Sequence, residues 1–414
     1  MLSRFARYVE KGWDFPALVQ HVRDNRPAAQ IPASSVFLST FGLFAVRFPS
    51  FNALEQELRI PARWEPWVGS IKPSADTLGY SLARFDLECL RDNLARIAHQ
   101  AKRKKALKRL SKEPTPYWGA ALDGHELWTS FSRCCDKCLI RELDTTQGPV
   151  TQYYHRVVVL QMVDVSPALI LDIEPILPGE GEVAAATRIL QRLCQRYPRF
   201  LDFVTADALY LQAPFMQVVQ EQGLHAIVVL KQENRELYQD VDGLLAITAP
   251  TVALDPDGLS TWQWDFENLT TWTQLAGPIR VVRTVEEKQQ RRRIARQWVD
   301  QWDTVEWRWV TTFPAGTISG DWIARWGHAR WDIENRGFNE LSQHWAMDHC
   351  FHHHPTAILA ILLILAMAFA LTTFFFDRNL KPAVRQGKTR LHMASLLADD
   401  LLRSIHGSFW SQPP

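Results

Sequence analysis

The chain has 414 residues, 47% of them hydrophobic and 22% charged, which is enough apolar matter for two or three packed domains and excludes a disordered chain. A formal net charge of +1 excludes polyanion binding through overall charge, so any such contact has to come from local patches. Six cysteines are too few for a disulfide scaffold at this length and point to a reducing cytosol, and Met1–Phe15 scatters charges through a stretch with no apolar core, so no secretory signal is expected.

Residues 1 to about 110 read as helical, with mixed apolar and charged residues at helical spacing over Leu2–Val22 and Phe51–Leu58. A further helix is expected over Thr77–Leu107, started by Pro73-Ser74-Ala75-Asp76. It ends in Lys102, Arg103, Lys104 and Lys105, followed by Lys108, Arg109 and Lys112. Such a cluster is commonly a solvated helix end, yet it is the densest cationic patch of the chain and can neutralise several phosphates.

Pro114 and Pro116 break the helical pattern, and the next segments read as strands: Tyr117–Leu122, ending at Asp123-Gly124, then His125–Phe131 and Cys138–Glu142. Tyr153–Val165 is a long apolar strand with Ala168–Ile173 as its hairpin partner, and Glu182–Arg196 is an amphipathic helix. Phe200–Ala206 is a short buried strand delivering Asp207, Leu211–Gln222 a helix closed by Gly223, and Ala226–Leu230 another buried strand. Three antiparallel strands, then helix, strand, helix, strand is the element order of an α/β ribonuclease-H-like core. Residues 232–315 interrupt it with polar, β-prone, Trp-rich sequence carrying the basic run Lys288–Arg296. The segments expected are therefore a helical 1–113 for DNA binding or dimerisation, a first part of the core at 114–231, a mainly β insertion at 232–315, closing helices at 316–380 and a tail at 381–414.

Gly320–His349 is proline-free, with Trp322, Trp326, Ile333, Phe338, Leu341 and Trp345 at spacings that predict one amphipathic helix. Arg330 and Glu334 stand four apart on it. Beyond it Pro355–Phe376 carries no charge over a length that suffices to span a bilayer, or to form a helix buried on all sides of a large core.

Three acidic residues follow apolar elements in order: Asp123 on the first core strand, Asp207 just past the fourth, and Glu334 on the closing helix. Singly each has an ordinary explanation: a turn at Asp123-Gly124, a helix cap at Asp207, and an ion pair of Glu334 with Arg330. Taken together they form a set of oxygen ligands for divalent ions, the arrangement that phosphodiester chemistry needs. VTADALY at Val204–Tyr210, RWDIENRGFNEL at Arg330–Leu341 and HWAMDHCFHHHP at His344–Pro355 resemble the catalytic core of bacterial DDE-type insertion-sequence transposases, in the branch with a Tyr-x-x-Arg-x-x-x-Glu-x-x-x-x-x-x-Lys signature.

The resemblance covers roughly Trp118 to Phe376. It implies that Asp123, Asp207 and Glu334 are catalytic and bind two Mg²⁺ or Mn²⁺ ions, and that Arg330 contacts DNA phosphate near the cleaved end. It further implies double-stranded DNA as partner at element ends and target, a homodimer in a synaptic complex, a bacterial cytoplasmic, nucleoid-associated location, and no membrane, with Pro355–Phe376 buried in the core. Gly327 and Leu341 stand at the signature's Tyr and Lys positions, and Lys231 or His328 are candidates for those contacts. A nuclease on the same fold, a DNA-binding relic without catalysis and a membrane-anchored protein are the competing readings. Cys135-x-x-Cys138 has the spacing of half a zinc site, with His349, Cys350 and His352–His354 as conceivable further ligands, or it is a chance pair in a strand-turn-strand.

Overall fold

The computed structural model describes residues 1–61, 63–233, 235–254, 260–294, 297–314 and 316–403. In chain order the helices α1 (Leu2–Trp13), α2 (Phe15–His21), α3 (Ala33–Val46), α4 (Phe51–Leu58), α5 (Glu65–Val68), α6 (Ala75–Leu82) and α7 (Leu87–Arg103) come first. Ser50 and Ser74 cap α4 and α6 by accepting from the amides of Ala53 at 3.1 Å and Thr77 at 3.2 Å. The single helix expected over Thr77–Leu107 is two helices, because Asp86 caps a new start by accepting from Glu88 N–H at 2.9 Å while Phe85 turns into the core.

The strands and helices that follow are β1 (Lys108–Arg109), β2 (Gly119–Ser130), β3 (Leu139–Thr145), β4 (Gly148–Met162), β5 (Val165–Ser166), β6 (Ile170–Pro175), α8 (Glu182–Arg196), β7 (Phe203–Ala206), α9 (Ala213–Glu221), β8 (His225–Val229) and α10 (Glu236–Leu245). Then come β9 (Thr251–Leu254), β10 (Ser260–Leu269), β11 (Ile279–Ile294), β12 (Gln297–Thr311), α11 (Gly320–Ala329), α12 (Asn339–Trp345), α13 (Pro355–Phe374), α14 (Pro382–Arg385) and α15 (Arg390–Arg403). Asp123-Gly124 is no turn: β2 runs straight through it. Gly124 is needed there because a Cβ would come within 2.2 Å of the Glu182 carboxylate.

The chain divides into two compact units. The first takes Met1–Glu113, Gly124–Ile189 and Ile333–Pro414, and the second Pro114–Asp123 and Leu190–Asp332. The units are thus assembled from non-adjacent stretches of the chain. In the first unit, α13 is the core. It packs on α3, α6, α7 and β6, and every residue from Leu359 to Phe374 is buried. Pro355–Asn379 is long and apolar enough to cross a membrane, yet 94% of its most apolar stretch is covered by protein, so its uniform hydrophobicity serves an interior helix.

β4 is hydrogen-bonded to β2, β3 and β6. β6 brings Asp172 and Glu174 into the interior, where Arg91 of α7 meets them at 3.2 and 2.9 Å and Arg188 of α8 reaches Glu174 at 2.7 Å. Each buried charge is thereby paired, as low-dielectric surroundings require. After residue 380 come the short α14 and then α15, which buries Met393, Ala394, Leu397 and Leu401, while Asp400 accepts from Leu2 N–H at 3.0 Å.

In the second unit the first residues of β2 run parallel to β7, and β7 parallel to β8. The end of β12 adds antiparallel to β8 through Trp309, Val310 and Thr311, and β11, β10 and β9 follow as an antiparallel meander. Among the described residues, 232–315 are therefore mostly strand, with α10 ahead of β9; of the basic run Lys288–Arg296, residues 295–296 lie outside the described residues. α11 packs on this sheet, with Trp326 stacked on Phe203 at 4.4 Å.

The single helix expected over Gly320–His349 is not continuous in its winding. Between α11 and α12 the chain widens into a π-helical turn, Ile333–Phe338. Within the first unit this turn is pinned by Arg336, which donates to the Val165 carbonyl at 2.8 Å, and by Gly337, where a Cβ would come within 2.2 Å of Gln161 Oε1.

Candidate active site

Ala120, Ala121 and Leu122 are fully buried in β2 and carry the strand up to Asp123. The neighbouring strand β7 does the same for Asp207 through Val204, Thr205 and Ala206. The last registered pair between these parallel strands is Ala121 with Thr205, so Asp123 and Asp207 each stand two residues past it. Two residues is the side-chain repeat of a strand, and neighbouring strands lie about 4.8 Å apart. Asp123, inside β2, and Asp207, the residue that follows β7, thus stand equally far beyond the last registered pair.

Their partners differ. The Asp207 carboxylate caps the short 3₁₀ turn Ala208–Tyr210 by accepting from Leu209 N–H at 2.8 Å, so the capping role weighed from sequence is met. Asp123 accepts from Arg330 Nη1 at 3.0 Å, with the two side chains 15% and 12% exposed. Arg330 is the C-terminal cap of α11. Glu334 lies four residues further along the chain, exposed, in the π-helical turn of the other unit.

Packing accounts for the two departures from the Tyr-Arg-Glu-Lys signature. At Gly327 a Cβ would come within 2.2 Å of the buried Trp309 indole, which leaves no room for a tyrosine. Leu341 is fully buried in the first unit, where a lysine ammonium would lose its water. His328 is bonded to Glu286 Oε1 at 2.6 Å within a frame of Trp307 and Trp309. Burial pushes the Glu286 carboxyl up, but the hydrogen bond and charge of His328 outweigh it and hold the carboxyl below its ordinary value. Lys231 is exposed after β8.

The basic cluster forms the end of α7 and the strand β1. Arg103, Lys104, Lys105 and Lys108 are exposed, Lys102 is half-buried, and Arg109 lies 3.8 Å from Asp164.

A family model described as the transposase DDE domain matches residues 151–371, more than half of the chain. The chain belongs to the DDE-domain transposases. In this transposase the matched stretch contains Asp207, Lys231, Arg330 and Glu334, while Asp123 and the basic cluster precede it. No curated protein matches the transposase chain.

Proposed function

We propose that this transposase belongs to an insertion sequence, binds that element's terminal repeats, and carries out divalent-metal-dependent DNA cleavage and strand transfer from a ribonuclease-H-like core. The observation that supports the reading is the parallel pairing of β2 and β7, with Asp123 and Asp207 each two residues beyond its last registered pair, in a transposase chain. The core reading is supported by the chain order of elements, β2, β4 and β6, then α8, β7, α9 and β8, which is the order expected from the sequence.

Asp123, Asp207 and Glu334 are the residues that would hold two Mg²⁺ or Mn²⁺ ions. Carboxylate oxygens are hard donors, and two or three of them with water suit magnesium. Such ions, when bound, make a water or hydroxyl nucleophilic and stabilise the leaving 3′-oxygen. Arg330, which donates to the Asp123 carboxylate at 3.0 Å, would orient it beside the DNA phosphate near the cleaved end. The cations of Lys102, Arg103, Lys104, Lys105, Lys108 and Arg109, with Lys231, neutralise DNA phosphates. Two element ends have to be held together for joining, so a homodimeric synaptic complex on double-stranded DNA is part of this reading, in the bacterial cytoplasm at the nucleoid; the six free thiols are consistent with that compartment.

The test is a labelled duplex carrying the element's terminal repeat, incubated with the intact protein and Mg²⁺, Mn²⁺ or EDTA. Metal-dependent cuts at the repeat boundary followed by joined products support the reading. Cutting without joining would make the chain a nuclease on this core, and binding without cutting a relic.

A further inference from the structure

We propose that Cys135, Cys138, His155 and His353 form a structural zinc site in the first unit. Their ligand atoms all lie within 4.8 Å of one another. Cys135 Sγ and Cys138 Sγ are 3.7 Å apart, His155 Nε2 is 3.4 Å from each sulfur, and His353 Nε2 is 3.3 Å from Cys138 Sγ. With Zn–S of about 2.3 Å and Zn–N of about 2.0–2.1 Å, a tetrahedral ion spaces two sulfurs by about 3.8 Å and a sulfur and a nitrogen by about 3.5 Å. The four atoms therefore already stand close to the corners that zinc requires. A sulfur separation of 3.7 Å is far beyond the ~2.05 Å of a disulfide.

The surroundings fit a closed site. Cys138 and His155 are 4% and 6% exposed, so the pocket admits little water. The Cys135 amide points at Cys138 Sγ at 3.2 Å, a donor that a thiolate uses and a thiol scarcely needs. Trp128 packs against both imidazoles, at 5.2 Å from His155 and 4.6 Å from His353, and so fixes their rings. Two thiolates and two imidazoles are soft and borderline ligands that select zinc over magnesium, which separates this site chemically from the carboxylates. Four protein ligands leave no open position, as in structural sites. The ion would tie together the turn before β3, strand β4 and the segment that leads into α13.

Zinc content measured by mass spectrometry on full-length protein purified without chelator tests the site, independently of any DNA activity. The expected result is about one zinc per chain, with a tetrahedral visible spectrum after exchange for Co²⁺. Cys135→Ser and His353→Ala are expected to lose the metal, while His353→Cys, Cys134→Ser, Cys350→Ser and Asp207→Asn keep it. If the serine and alanine variants fail to fold, the intact protein's zinc content and cobalt spectrum decide alone. Intact protein with less than about a tenth of an equivalent of zinc and no tetrahedral cobalt spectrum would overturn the proposal. So would loss of zinc in Cys350→Ser with retention in His353→Ala.

Discussion

Asp123 sits 3.0 Å from a guanidinium whose own helix ends at that residue, so the carboxylate's orientation depends on where α11 stops. That stop is packed rather than merely spaced: Gly327, three residues earlier, lets the helix lie against Trp309. A tyrosine at this position is therefore expected to harm the protein. Gly327→Tyr should lower the stability measured by urea unfolding by about 2–3 kcal/mol or more through overpacking, with no gain in DNA cleavage. A variant as stable as the parent would show that the helix can move away from the indole. The sequence signalled Asp123, Asp207 and Glu334 by their place after apolar runs. The partner of Arg330 was hidden because Asp123 lies 207 residues away along the chain. His155 escaped notice for a similar reason, since a lone histidine inside YYHRVVV looks like any strand residue until Cys135, Cys138 and His353 converge on it.

At the scale of elements, the long β11–β12 hairpin carries an ion pair network on its inner half. Glu306 lies between Arg283 at 2.7 Å and Arg308 at 2.6 Å. The hydrogen bond from Arg283 leads in holding its carboxyl down, to about 2, against the opposing effect of burial and with help from Arg308. A carboxyl lowered on folding stabilises the folded state above its unfolded value of about 4.3 and loses that contribution as pH falls towards 2. With Glu306 39% exposed, the pair is worth less than about 1 kcal/mol, and Glu306→Gln should lower Tm by about 1–2 °C at pH 6. That difference should vanish near pH 2; a constant difference across the range would refute the assignment.

Element boundaries were legible where local chemistry sets them. Glu182–Arg196 is a helix as read, and Gly223 with φ of 71° closes the stretch after α9. They were not legible where tertiary packing decides. The break at Asp86 joins α7 to a new cap, and the π turn at Ile333–Phe338 depends on Gly337 meeting Gln161, a contact that no periodicity encodes.

For the whole molecule, near-neutral charge means that the proposed DNA binding has to come from patches, and the cationic run at the end of α7 and β1 is the densest of them in the sequence. Reversing Arg103, Lys104 and Lys105 to glutamate should weaken binding of any duplex and reduce the slope of log K against log salt by about 2–3, since each phosphate contact contributes about 0.9. An unchanged slope in filter binding would place the DNA elsewhere. The α13 helix shows how composition alone misleads at this scale: the same uniform apolar run satisfies a bilayer or a protein interior, and only its neighbours α3, α6, α7 and β6 distinguish the two.

The central claim is that three carboxylates far apart in sequence carry metal-dependent DNA cleavage, and the most direct measurement compares the intact protein with Glu334→Gln on a duplex bearing the element's terminal repeat. The variant should bind the duplex as the parent does and cut it at least about 10³-fold more slowly in Mg²⁺, the loss expected when a charged ligand becomes neutral at unchanged size. Equal cutting by the two proteins would contradict the assignment of Glu334 and with it the three-carboxylate site.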